Sequence, residues 1–133
     1  MIKLFLDDVR MPQHCTGYMN TRVNLDTLKL YLEEWVIVRN FDEFKEMVNK
    51  NIGNISHVSF DHDLEPEHYS EKMYSSMEEY YADIHGKGST GLDCAKYMIK
   101  TYQEAYNEEL PIIIVHSMNP VGTKAIQDVF DTV

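Results

Sequence analysis

A chain of 133 residues, 44% hydrophobic and 26% charged, is long enough to enclose one hydrophobic core without staples and has the composition of a globular domain. Its 22 acidic and 12 basic residues leave a net charge of −10, which disfavours tight binding along an extended nucleic-acid backbone. A small phosphate ligand or one RNA end stays compatible, because a bound cation inverts the local field.

Cys15 and Cys94 lie far apart with no CxxC spacing, so neither a disulfide framework nor a zinc knuckle is implied. The apolar start, Met1 to Leu6, is too short for a signal peptide, and no apolar run approaches a membrane span. The expectation is a single cytoplasmic domain over 1–133, without a membrane partner and with no indication of oligomeric state.

In chain order, the first strand is predicted over Lys3–Leu6, ending at Asp7-Asp8. Leu25, Leu28 and Leu32 then recur at helical spacing. Val36–Val38 reads as the second strand. Asp42 is the predicted N-cap of a helix over Glu43–Lys50, with Phe44, Met47 and Val48 inward. The third strand, His57–Phe60, runs into Asp61-His62-Asp63. A polar, Tyr- and Met-rich insertion follows at about 65–88, too long for an ordinary connection. Thr90 caps a helix striped by Leu92, Ala95, Ile99 and Tyr102. Ile112–Val115 is uniformly apolar, as for a strand buried on both faces, and meets His116-Ser117. Ala125, Ile126, Val129 and Phe130 mark a last helix, with Ser117 as its cap and Pro120 in its first turn. This alternation predicts an α/β three-layer sandwich with a four-stranded parallel sheet, order 2-1-3-4, and right-handed crossovers.

In open α/β sheets, ligands bind outside the carboxyl ends of the strands. Three polar clusters meet there: Asp7 and Asp8; Asp61, His62 and Asp63; His116, Ser117 and Asn119. Carboxylates so crowded need a cation or a proton. Asp7, Asp8, Asp61 and Asp63 are therefore the metal candidates, with Mg²⁺ favoured by oxygen ligands and Mn²⁺ admitted by the histidines. His62 and His116 titrate near working pH and suit acid–base work; Asp61 and Ser117 complete the candidate catalytic set. Arg10 can pair with a phosphate bidentately. Thr90 and Gly91 put amides at a helix N-terminus, where anions bind, and Asn119 stands at the same edge. Plainer readings exist for each. Asp7-Asp8 suits a turn, His116 a satisfied core histidine, Arg10 a counterion for Asp8, and the insertion ordinary packing. The glycine-rich stretch at 86–91 lacks Walker spacing.

Leu6-Asp7-Asp8-Val9-Arg10-Met11-Pro12, Phe60-Asp61-His62-Asp63-Leu64, Thr90-Gly91-Leu92-Asp93 and His116-Ser117-Met118-Asn119-Pro120 with Gly122, in that order, resemble the cyclic-phosphate-processing receiver-like domains. The resemblance spans nearly the whole chain. It implies a receiver-like, flavodoxin-type fold and action on cyclic phosphates, at RNA ends or in small nucleotides; joined to the clustered carboxylates and histidines, it gives a metal-dependent phosphoesterase as the expected function. Two features depart from the family pattern: Glu65 follows Leu64 where glycine is common, and the insertion is longer. The rival reading is a receiver-type signalling module with Asp61 as phosphoacceptor. Ordinary receivers have a fifth βα unit and a lysine after its strand; this chain shows four units, Lys124 lies within the last helix pattern, and no strand end supplies that lysine. A haloacid-dehalogenase-type phosphatase is a weaker rival, because Asp7-Asp8-Val9-Arg10 does not supply its DxDx[TV] string.

Overall fold

Short β-branched and aromatic runs form the strands, and each pairs in parallel with a neighbour. The computed structural model describes residues 1–64, 90–105 and 109–133. The strands are β1 (Ile2–Leu6), β2 (Val36–Val38), β3 (Ile55–Phe60) and β4 (Ile112–Val115), in the order 2-1-3-4. The helices are α1 (Leu25–Leu30), α2 (Phe41–Lys50), α3 (Gly91–Glu104) and α4 (Pro120–Asp131), with 3-10 turns at Pro12–Cys15 and Met19–Thr21. The chain thus has the expected receiver-like α/β architecture. The insertion at about 65–88 lies outside the described residues. Among those described, no helix is long and apolar enough to cross a membrane.

Successive side chains of a strand point to opposite faces, and this divides the core in two. Leu4, Leu6, Val58, Phe60 and Val115 face α2, α3 and α4, meeting Phe44, Val48, Leu92, Ala95, Met98, Ala125 and Ile126. Phe5 and Ile114 face the other way, under Cys15, Met19, Tyr31 and Trp35 from the segment that follows β1. Trp35 stacks on Tyr31 and donates its indole N–H to the Leu30 carbonyl at 2.8 Å. Burying one such side chain contributes roughly 1.5–3 kcal/mol.

Two helix starts differ from the sequence expectation. Asn40, not Asp42, caps α2: its side-chain oxygen accepts from the Glu43 amide at 2.9 Å. The helix begins earlier because Phe41 packs on the core beside Tyr97. Asp42 sits in the first turn, where it favours the helix dipole. Asn119, not Ser117, caps α4, accepting from the Gly122 amide at 3.0 Å, with Pro120 at the first helical position. Ser117 Oγ accepts instead from the Asn119 amide at 3.1 Å. Thr90 caps α3 as expected, in a reciprocal box with Asp93.

The start of α3 is pressed against the end of β3. A Cβ on Gly91 would lie 1.8 Å from the Asp61 carbonyl oxygen, which is backbone and cannot rotate away. Gly91→Ala should therefore cost about 2 kcal/mol in a urea titration, the scale of overpacking in a tight core. A variant as stable as wild type would refute this packing.

Candidate functional site

The site follows from strand register. Leu6 pairs with Val38 and Phe60, and Phe60 with Val115, so the four strands end at one level. The backbone ladder continues one residue further: Asp7 N–H donates to Val38 O, Asp61 N–H to Leu6 O and His116 N–H to Phe60 O. Asp7, Asp61 and His116 thus form one row. Leu6, Phe60 and Val115 point to the helical core, so by alternation the next residues turn to the opposite face. There His116 stacks on Phe5, with ring centroids 4.4 Å apart and planes 7° from parallel.

In this row, one ligand atom each from Asp7, Asp61 and His116 lie within 4.8 Å of one another. All three residues are buried. His116 Nε2 is 3.0 Å from Asp7 Oδ2. Asp7 Oδ1 accepts the amides of Val9 and Arg10 at 3.0 and 2.8 Å, closing the loop after β1. Arg10 Nη1 lies 3.3 Å from Asp7 Oδ2 and 3.9 Å from Asp61 Oδ1. Asp61 Oδ1 accepts the His62 amide at 2.8 Å, whereas its Oδ2 is buried with no hydrogen-bond partner.

The charges follow. Burial pushes the Asp7 carboxyl up, but the His116 hydrogen bond and the Arg10 and Val9 amides outweigh it and set it at about 2. Asp61 goes the other way. Burial, aided by the Asp7 charge, raises it to about 8 against the pull of Arg10, so it holds a proton at neutral pH. Burial lowers His116, which is neutral despite its contact with Asp7.

A neutral His116 facing an ionised Asp7 donates from Nε2. Its Nδ1 then accepts from Ser59 Oγ at 2.7 Å, and Ser59 Oγ accepts from the Tyr31 hydroxyl at 2.7 Å. Burial holds the Tyr31 phenol well above its usual range, so it stays protonated. The polarity of this buried chain is set from the Asp7 end. Ser59 lies inside β3 and Tyr31 directly after α1; neither was anticipated from the sequence. The one signal was a lone hydroxyl in the otherwise apolar Val58-Ser59-Phe60.

The loops around the row are held by side chains that also escaped notice. Arg39 Nη1 donates to the carbonyls of Asp7 and Arg10 at 3.0 and 2.6 Å. Arg22 donates to the carbonyls of Ser117 and Val115 at 2.8 and 3.1 Å. Tyr18 donates its hydroxyl to His116 O at 2.6 Å, and its ring lies 5.5 Å from the Arg10 guanidinium carbon.

The other sequence candidates fall into separate arrangements. Asp8 is half-buried beside the row, and Asp8 and Asp63 are not members of the three-residue group. His62 Nδ1 pairs with Asp63 Oδ1 at 3.0 Å, and Asn119 Nδ2 reaches Asp63 at 3.3 Å. The His62 ring is fully buried against the first turn of α4: a Cβ on Gly122 would come within 2.4 Å of its Cγ. Thr90 and Gly91 differ most from their expected anion-binding role. The Gly91 amide donates to His62 O at 2.7 Å and the Thr90 amide to Asp93 at 2.8 Å, so both are engaged within the chain.

The structure therefore has an Asp-Asp-His group able to hold a metal ion. The orphaned Asp61 oxygen and the mixed oxygen and nitrogen donors fit such an ion. Neither thiol is a member of this group; burial raises Cys15 to about 11 and Cys94 well above its usual value, so both are unreactive. No curated protein and no solved structure matches the chain. The family model of the cyclic-phosphate processing receiver domain matches residues 2–132, nearly its full length, and the chain belongs to that family.

Proposed function

We propose that this protein is a divalent-cation-dependent phosphoesterase that opens or hydrolyses a cyclic phosphate of a nucleotide or an RNA end. The observation that carries the reading is the buried row Asp7, Asp61 and His116, with Asp61 Oδ2 unpartnered. Two carboxylates and an imidazole suit Mn²⁺ better than Mg²⁺, which prefers oxygen ligands alone. A bound ion supplies polarisation of a phosphoryl oxygen and a bound water of lowered pKa. Asp7 and Asp61 contribute oxygens, and His116 contributes Nε2. Asp8, half-buried alongside, serves the outer shell. Arg10 and Ser117 orient the phosphate. His62, aligned through Nδ1 by Asp63, is the histidine left for proton handling, in the arrangement of a base and its orienting carboxylate. The net charge of −10 favours a small nucleotide or a short end over a long backbone.

Mn²⁺ should raise the melting temperature of metal-free protein. A ligand at a hundred times its dissociation constant adds about 2.7 kcal/mol to stability. Cyclic nucleoside monophosphates should turn over only with the metal present. Absence of any shift up to millimolar Mn²⁺ would end the metal-centred reading. The position of Asp61 directly after β3 keeps the signalling module in play as a second reading. Stoichiometric labelling by acetyl phosphate, lost in Asp61→Asn and unaccompanied by turnover, would favour it.

A further inference from the structure

Resting on the cation-site reading above, we propose that Arg10 is a resident stand-in for the divalent cation, and that metal and phosphate enter together by displacing its guanidinium. Arg10 Nη1 stands 3.3 Å from Asp7 Oδ2 and 3.9 Å from Asp61 Oδ1, beside the two carboxyl groups that would hold the ion. An ion coordinated there would lie about 2.0–2.2 Å from its oxygens. A guanidinium held against the same groups would face a dication at close range in a buried setting, where like charges repel strongly. The two occupants exclude each other. Asp61 Oδ2, buried and unpartnered, is the donor that Arg10 leaves unused.

The exchange is confined to the side chain. The Arg10 amide is held by Asp7 Oδ1 at 2.8 Å, and its carbonyl by Arg39 at 2.6 Å. The side chain is 22% exposed, which gives the guanidinium a path outward. The Tyr18 ring, 5.5 Å from the guanidinium carbon, offers a face on which it can remain while its N–H groups turn away from the carboxylates. A guanidinium freed at the rim is a bidentate donor for phosphate oxygens. Metal alone must break the Arg10 pairs without return. Metal with phosphate replaces them by Arg–phosphate bonds. Each ligand therefore strengthens the other, and the coupling is reciprocal.

The test is Mn²⁺ affinity, read by electron paramagnetic resonance on the full chain with and without inorganic phosphate. In wild type, phosphate should tighten Mn²⁺ binding roughly tenfold, within the usual range of coupling between sites. Arg10→Ala should bind Mn²⁺ roughly tenfold more tightly than wild type without phosphate, and should lose the phosphate effect. Arg10→Gln, neutral and closer in shape, should behave the same and serves if the alanine variant does not fold. Equal or weaker Mn²⁺ binding by the neutral variants, or an undiminished phosphate effect in them, overturns the stand-in role while leaving the cation site intact. Absence of Mn²⁺ binding in wild type and variants alike removes the cation site and this inference with it.

Discussion

Asp61→Asn is expected to stabilise the metal-free protein while abolishing its metal response and its turnover. In the folded state Asp61 holds its proton up to about pH 8, because burial and the Asp7 charge oppose ionisation. Unfolded, it ionises near the ordinary carboxylate value of 3.8. Between those values the folded state binds more protons, so stability falls as pH rises. His116 has the opposite sign: it is neutral when folded, and the stability it contributes is complete above its ordinary value of 6.5 and is lost as pH falls below it. The Asp61 effect is therefore seen without that opposition from about pH 6.5 to 8, where wild type should lose about 2 kcal/mol at one proton per molecule. Asparagine cannot ionise, and the slope should vanish. The same change removes a carboxylate from the Asp-Asp-His row, so Mn²⁺ should no longer raise the melting temperature. Turnover should drop by about a thousandfold or more, as when a main electrostatic group of a site is lost. Urea titrations across this pH range, with and without Mn²⁺, check the stability arm. A slope unchanged by the substitution would mean that another group titrates there.

Ser59→Ala carries the second large effect, because Ser59 joins His116 Nδ1 to the Tyr31 hydroxyl, each at 2.7 Å. Its removal leaves two buried polar groups short of a partner, which costs about 2–4 kcal/mol in all. The effect on metal binding is separable from this. To offer Nε2 to a cation, His116 must carry its proton on Nδ1 and donate to Ser59, which then donates to Tyr31. Hydroxyls accept and donate equally well, so the chain reverses direction without moving a heavy atom. Without Ser59 the ring loses that partner, and Mn²⁺ affinity should fall by roughly 10–100-fold, the usual cost of deleting a group that orients a metal-binding histidine. Tyr31→Phe, which keeps Ser59, should cost less on both counts. Nitrogen-15 shifts of His116 provide an independent readout, with the proton moving from Nε2 to Nδ1 when diamagnetic Zn²⁺ replaces Mn²⁺. Unchanged metal affinity in Ser59→Ala would reduce the chain to a packing device.

The amino-acid sequence by itself determined the order of strands and helices, the parallel sheet and the three polar clusters at the strand ends. These depend on local properties: alternating apolar runs, helical spacing, and acids or histidines placed directly after strands. Asp7, Asp61 and His116 were legible as candidates for that reason. Which atoms of the clusters face one another was decided only by tertiary structure. The alignment of Leu6, Phe60 and Val115 in register, together with strand alternation, turns the next residues to one side; a slip of one residue would have sent a carboxylate to the other face. The same alignment brings Ser59 and Tyr31, 28 positions apart, to His116. Thr90 and Gly91 show the converse. Their sequence suits an anion site, but the close approach of α3 to the end of β3 gives their amides to His62 O and Asp93. The caps at Asn40 and Asn119 were likewise set by where each helix meets the core, since capping residues of similar chemistry stood within two positions and only packing chose between them.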